Sequence, residues 1–235
     1  MGGELPKDTM FRVIRRLIAD TVLVAVVMFI AAGTIAWARA WVMLATMLLV
    51  RAVGAVAVYR VSPDLLHERA RLPLHEQQGM ADRALLLGVL ATGFLGLPII
   101  AALDAFRWHV FAAPAPLLEY CGLGLFVAGW SLKSLALRAN AFAVTVVRLQ
   151  KERSHTVIDS GPYGVVRHPF YAADPLIFLG LSLWLLSYFA AVFAVIPIAL
   201  MVTRLRHEEQ LLRRELAGYA AYVDRVRFRL IPGIW

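Results

Sequence analysis

Apolar runs of bilayer length divide this chain, and they limit its possible folds more than any other feature. A crossing of the hydrocarbon core takes about 20 consecutive apolar residues in helix, because lipid offers the backbone no hydrogen-bond partners. Runs of that kind recur at Arg15–Trp37, Ala40–Tyr59, Ala84–Leu103 and Leu117–Leu137. A longer run, Ala172–Thr203, would reach about 48 Å as a single helix, too far for one untilted crossing. Ser187 and Tyr188 fall at its middle, so it reads as two short spans, Ala172–Leu186 and Phe189–Thr203. With 60% hydrophobic and 17% charged residues, the chain lies well outside the soluble norm of roughly 45–50% and 25%. The expected fold is all-α: a polytopic transmembrane bundle of six spans, the last two a helical hairpin, followed by a C-terminal amphipathic helix. It forms one integrated domain, with membrane spans over residues 1–139 and a chemistry-bearing region over 140–235.

Lys and Arg alternate from one connection to the next. Lys7, Arg12, Arg15 and Arg16 precede or open the first span, and Arg39 alone follows it. Arg60, Arg69, Arg71 and Arg83 occupy the next loop, and Arg107 alone the one after. The central segment and the tail are both rich in arginine, while the tip between the last two runs has none. This alternation places both termini and the central segment in the cytoplasm. The net charge of +8 is then a matter of basic loops facing anionic lipid, and no basic soluble domain is left to bind nucleic acid. The N-terminal apolar stretch lacks a small-residue cleavage site and is expected to be a retained first span. Cys121 is the single cysteine, so disulfides within the chain are excluded, and no Cys/His cluster suggests a metal.

Chemistry concentrates in Asn140–Tyr171, a polar, Gly/Pro-punctuated segment pinned between apolar runs, where a membrane enzyme would keep a site. It carries Arg148, Gln150, Lys151, Glu152, Arg153, His155, Asp159, Tyr163, Arg167, His168 and Tyr171. Arg51 and Lys133 lie inside spans, where a charge is costly and is expected to be paired or functional. In the tail, Leu205, Leu212, Leu216, Tyr219 and Val223 recur at helical spacing opposite many arginines, as in a surface-lying helix. Glu208 and Glu209 sit where that helix leaves the bilayer.

GPYGVVRHPFY (Gly161–Tyr171), a hairpin-length apolar run, Glu208-Glu209, Tyr219 and Tyr222, and RLIPGIW (Arg229–Trp235) follow one another in that order. This succession resembles the isoprenylcysteine carboxyl methyltransferase family and its phospholipid methyltransferase relatives, over Asn140–Trp235. The resemblance implies an integral membrane enzyme that uses S-adenosylmethionine and acts on a lipidated or lipid-like acceptor, such as a prenylated one. It implies that His168 and Tyr171 line the cofactor pocket, that Glu208 and Glu209 hold the cofactor from the tail helix, and that Gly161, Pro162 and Tyr163 shape the turn. Arg167 would bind the cofactor carboxylate or the acceptor. Arg225, three residues after Tyr222, would hold an acceptor carboxylate through a bidentate guanidinium pair. The sequence departs from the family where Ala172-Ala173-Asp174 follows Tyr171. Gly122 and Gly124 lie near the outer end of the fourth span and read as helix-packing residues outside the site.

A carboxylate acceptor is ionised at neutral pH and needs a cation to position it, whereas an amine needs deprotonation and acidic or aromatic neighbours. The tail arginines favour the carboxylate, with phospholipid N-methylation as the alternative. A sterol-reductase-like enzyme using NADPH and a non-enzymatic transporter or scaffold are the remaining readings.

Overall fold

The computed structural model of the chain describes residues 8–70, 79–144 and 155–235, and every regular element among them is a helix. The first is α1 (Asp8–Ala32), which ends where Gly33 takes φ +74° and returns its N–H to Phe29 O at 2.9 Å, a left-handed stop that only glycine adopts without strain. Then come α2 (Ala38–Tyr59) and the short α3 (Pro63–Ala70). α4 (Met80–Val89) and α5 (Leu97–Leu103) are joined by a π-helical stretch, Leu90–Gly96, and a second one, Asp104–Trp108, closes this continuous run Met80–Trp108. α6 (Pro116–Ala139) and α7 (Pro169–Trp184) both open on proline, whose missing N–H is no loss in a first turn. α8 (Tyr188–Phe193), α9 (Val195–Glu215) and α10 (Tyr219–Arg225) complete the described helices.

Among the described residues four helices are long and apolar enough to cross a membrane: Ala38–Tyr59, Met80–Trp108, Pro116–Ala139 and Tyr188–Glu215. Helices also stand at the first and fifth expected spans, but neither meets both requirements. α1 carries Arg12, Arg15, Arg16 and Asp20 in its first half. α7 has 16 residues, which reach roughly 24 Å, short of a hydrocarbon core of about 30 Å. By length and composition, four of the six expected spans are matched among the described residues.

The run Ala172–Thr203 is broken where it was expected to be. Leu186 adopts φ +66° and Ser187 caps α8, its Oγ accepting from Ala190 N–H at 2.9 Å. The Ser187 hydroxyl also donates to the buried Asp104 carboxylate at 2.6 Å, which ties the break to the end of the Met80–Trp108 run. The tail differs from expectation. α9 continues unbroken from the apolar Val195 end to Glu215, and Gly218, at φ +81°, then turns the chain into α10. Leu205 and Leu212 thus share one helix while Tyr219 and Val223 lie on another, and a single amphipathic tail helix does not form. The turn lets Tyr219 and Tyr222 bury against Leu212, Leu216 and Val157.

α6 and α7 approach closely enough that only glycine fits at their crossing. A Cβ on Gly180 would lie 2.4 Å from Phe126 N and 2.6 Å from Gly122 O, and one on Gly122 would lie 2.8 Å from Trp184 N. Gly122 is therefore a packing residue, as expected, whereas a Cβ on Gly124 would meet nothing within 4 Å. Gly180→Ala is expected to destabilise the protein by about 1–3 kcal/mol, since the obstructing atoms are backbone and cannot rotate away. Thermal unfolding in detergent tests this, with Gly124→Ala as the neutral comparison; equal melting of the two would mean that the helices separate at no cost.

The charges inside spans are paired. Lys133 Nζ donates to Asp174 Oδ1 across the α6–α7 contact. Arg51 Nη2 meets Asp20 Oδ2 at 2.6 Å and lies over the Trp130 ring. Asp174, the residue by which the sequence departs from the family pattern, is thus the counter-ion of the lysine in the preceding span.

Candidate functional site

Gly161–Gly164 forms a 3-10 turn in which Gly161 takes φ +58° and Pro162 sits at the start. Tyr163 is buried beneath it, and its carbonyl accepts the Tyr222 hydroxyl at 2.7 Å. The next residues are pinned to the C-terminal stretch by the backbone: Arg167 N–H donates to Phe228 O at 2.9 Å and His168 N–H to Arg229 O at 3.0 Å. The Arg167 side chain reinforces this, with Nη1 donating to Val226 O and Arg227 O, both at 2.7 Å. Its Nη2 meets Glu209 Oε1 at 2.9 Å. Glu209 also receives Arg229 Nε at 2.6 Å and Arg213 Nη2 at 3.3 Å. One buried carboxylate thus gathers three guanidinium groups where the His-Pro motif, α9 and the C-terminal stretch meet.

Pro169 starts α7 directly after His168 and carries Phe170 and Tyr171 inward in its first turn. The Tyr171 hydroxyl donates to Glu208 Oε2 at 2.6 Å and accepts from Arg204 Nη1 at 3.1 Å. Arg204 Nε pairs with Asp82 Oδ1 at 2.7 Å, so the cluster joins α7, α9 and α4.

These groups border a cavity of about 690 Å³, within the 300–1,000 Å³ range typical of small-molecule sites. Tyr163, His168, Tyr171, Glu208, Tyr219 and Tyr222 line its polar end, and Leu23, Val24, Met47, Leu87, Leu90 and Phe94 line an apolar limb. His168 is 5% exposed and Tyr219 4%, yet His168 Nε2 and the Tyr219 hydroxyl have no hydrogen-bond partner among the described residues. Buried polar atoms are rarely left without one, so these two are available to a ligand.

Burial sets the protonation of the polar end. It lowers the His168 pKa to about 4, against the opposing pull of the Glu209 carboxylate. Burial likewise raises the phenols of Tyr163 and Tyr219, and that of Tyr222 to about 12. At neutral pH the imidazole and these phenols are therefore uncharged. The depressed histidine has a consequence for stability. The unfolded chain binds a proton near pH 6.5 that the folded one refuses until about 4, so stability is lost as pH falls through that interval. His168→Gln is expected to flatten the dependence of the melting temperature on pH between these limits; an unchanged slope would show that other groups cause it.

The structure thus brings together Tyr163, Arg167, His168, Tyr171 and Glu208 at the cavity. Gly161 and Pro162 form the turn behind it. Glu209 does not line the cavity; it stands behind the wall, held by its arginines. Arg225, expected to hold an acceptor carboxylate, does not line the cavity. Its Nη2 pairs with Asp159 Oδ2 at 2.7 Å in a surface contact whose side chains are 59% and 54% exposed. With about 100° of helix rotation per residue, Arg225 lies about 120° around α10 from Tyr219, which faces inward. Arg148, Gln150, Lys151, Glu152 and Arg153 lie outside the described residues. Arg204, Asp82 and Phe170 carry no mark in the sequence that separates them from ordinary loop, flank and span residues, and they join the site only through the packing of α4, α7 and α9.

A family model described as phospholipid methyltransferase matches residues 118–217. The match opens in the first turn of α6 and closes just past α9, so it takes in His168, Tyr171, Glu208 and Glu209 but ends before α10 and Arg225. No curated protein matches the chain.

Proposed function

We propose that this chain, whose residues 118–217 form a domain of the phospholipid methyltransferase family, the group of membrane methyltransferases that includes the isoprenylcysteine carboxyl methyltransferases, transfers the methyl group of S-adenosylmethionine to a lipid-like acceptor. The observation that carries this reading is the two-ended cavity. Its polar end has a carboxylate and, among the described residues, the unpartnered His168 Nε2 and Tyr219 hydroxyl, and its apolar limb reaches among bilayer-length helices.

The residues at the polar end suit the cofactor. Glu208 spends Oε2 on Tyr171, which leaves Oε1 to accept from a ribose hydroxyl or an ammonium. His168 Nε2 and the Tyr219 hydroxyl are placed to complete hydrogen bonds to a bound molecule. Gly161 and Pro162 shape the turn that holds Tyr163 in place, and Glu209 acts indirectly by fixing Arg167 and, through it, the backbone before His168. When bound, the cofactor supplies an activated sulfonium methyl. The chain's part is to align the acceptor with it and to exclude water. The apolar limb accommodates the acceptor's hydrocarbon portion.

The charges support one acceptor class over the other. Arg225, the cation expected to hold a carboxylate, is engaged with Asp159 at the surface. Glu208 and the tyrosines that line the cavity are the neighbours an amine requires. N-methylation of a phospholipid amine therefore gains over carboxyl methylation. Incubation with methyl-labelled S-adenosylmethionine and a membrane lipid extract tests both levels of the reading. Label in the lipid fraction that survives alkali is an N-methyl group, and label released by alkali as methanol is an ester. Calorimetry should find binding of S-adenosylhomocysteine and none of NADPH; the reverse would replace the methyltransferase with a reductase.

A further inference from the structure

Among the described residues six cations line the cavity: Arg16, Arg51, Arg69, Lys133, Arg167 and Arg204. Five have a carboxylate partner. Arg16 and Arg51 share Asp20, Lys133 has Asp174, Arg167 has Glu209 and Arg204 has Asp82. Among the described residues Arg69 is the exception. Its Nη1 donates to the neutral Ala143 carbonyl at 2.6 Å, and its guanidinium lies 4.9 Å from the centre of the Phe170 ring. Those two contacts orient the guanidinium without neutralising it. Arg69 is half-buried, and a positive charge partly withdrawn from water with no carboxylate beside it among the described residues is stabilised by an anion that enters the site. Burial pulls the Arg69 pKa down to about 10. The group remains a cation at neutral pH.

We propose that Arg69 seats an anionic oxygen group of a ligand in this cavity, a carboxylate or a phosphate. Phe170 follows Pro169 in the His-Pro motif, so the seat adjoins the polar end of the cavity although α3 lies far from that motif in sequence. Arg69 is a binding residue outside residues 118–217, which the family model covers. The proposal rests on the methyltransferase reading for the identity of the two candidate sources: the amino-acid carboxylate of the cofactor and the phosphate of a phospholipid acceptor.

The experiment compares wild type, Arg69→Gln and Arg69→Lys in phosphatidylcholine nanodiscs. Three probes are titrated: S-adenosylhomocysteine, methylthioadenosine, which keeps the nucleoside and lacks the carboxylate, and dioleoyl phosphatidic acid. If the seat takes the cofactor carboxylate, Arg69→Gln weakens S-adenosylhomocysteine at least tenfold and leaves methylthioadenosine unchanged. If it takes the acceptor phosphate, S-adenosylhomocysteine binds as before and phosphatidic acid is weakened at least tenfold. Arg69→Lys, which keeps the charge and loses the fork, should recover part of the lost affinity, and it carries the comparison alone if Arg69→Gln does not fold. Unchanged binding of both anionic probes overturns the proposal, as does equal weakening of methylthioadenosine, which would mean a purely structural role. If wild type binds neither adenosine compound, the methyltransferase reading fails, and the phosphatidic acid arm still tests the seat.

Discussion

Asp174→Ala is expected to destabilise the folded protein by about 3–5 kcal/mol, the cost of leaving a buried charge without its partner. The side chains of Lys133 and Asp174 are only 8% and 6% exposed. The ammonium is otherwise surrounded by the rings of Phe94, Trp130 and Phe170, with centroids at 5.7, 5.6 and 4.5 Å. These faces attract the cation but do not replace a carboxylate. The double variant Lys133→Met, Asp174→Leu removes both charges and fills similar space, so it should return to within about 1–2 kcal/mol of wild type. Equilibrium unfolding in mixed micelles measures all three proteins. A single variant as stable as wild type would mean that water in the adjoining cavity solvates the lysine, and the pair would then contribute little.

Neighbouring carboxylates on α9 are expected to fail in different ways. Glu209→Ala removes the partner of Arg167, and the two side chains are 4% and 3% exposed. The expected loss of stability is again about 3–5 kcal/mol, because Arg167 stays buried. Arg213 and Arg229 are 43% and 32% exposed, so solvent screens their part of the cluster. Glu208→Ala should leave folding near wild type, since the Tyr171 hydroxyl keeps its bond to Arg204. It should instead weaken S-adenosylhomocysteine by about 1–3 kcal/mol, the usual effect of deleting one polar partner in a semi-dry site. Paired unfolding and calorimetric measurements on the two variants separate these effects. Normal cofactor affinity in Glu208→Ala would sink the assignment of that carboxylate. A fully stable Glu209→Ala with reduced affinity would move Glu209 from support into direct contact.

The helical, apolar-spanned class, the break at Ser187 and the Gly/Pro punctuation of the central segment were all legible in the chain itself, while the turn at Gly161–Gly164 came from the family resemblance. The first three depend on local quantities: the length of an apolar run, the φ freedom of glycine and the fixed φ of proline. The ordered motifs from Gly161 to Glu209 likewise marked which residues would gather, and Tyr163, His168, Tyr171 and Glu208 do line one cavity. The roles within that cluster depended on packing. Glu208 and Glu209 are adjacent in sequence, but about 100° of helix rotation sends one to the cavity and the other to three arginines. Arg225 matched a motif by spacing, and the turn at Gly218 directs it to Asp159 on the surface. Lys133 and Asp174, 41 residues apart, became partners because glycines at the α6–α7 crossing bring the two helices together. Hydropathy and backbone preference act over a few residues, whereas the partner of a buried charge is chosen by which helices meet, and that choice belongs to the tertiary structure.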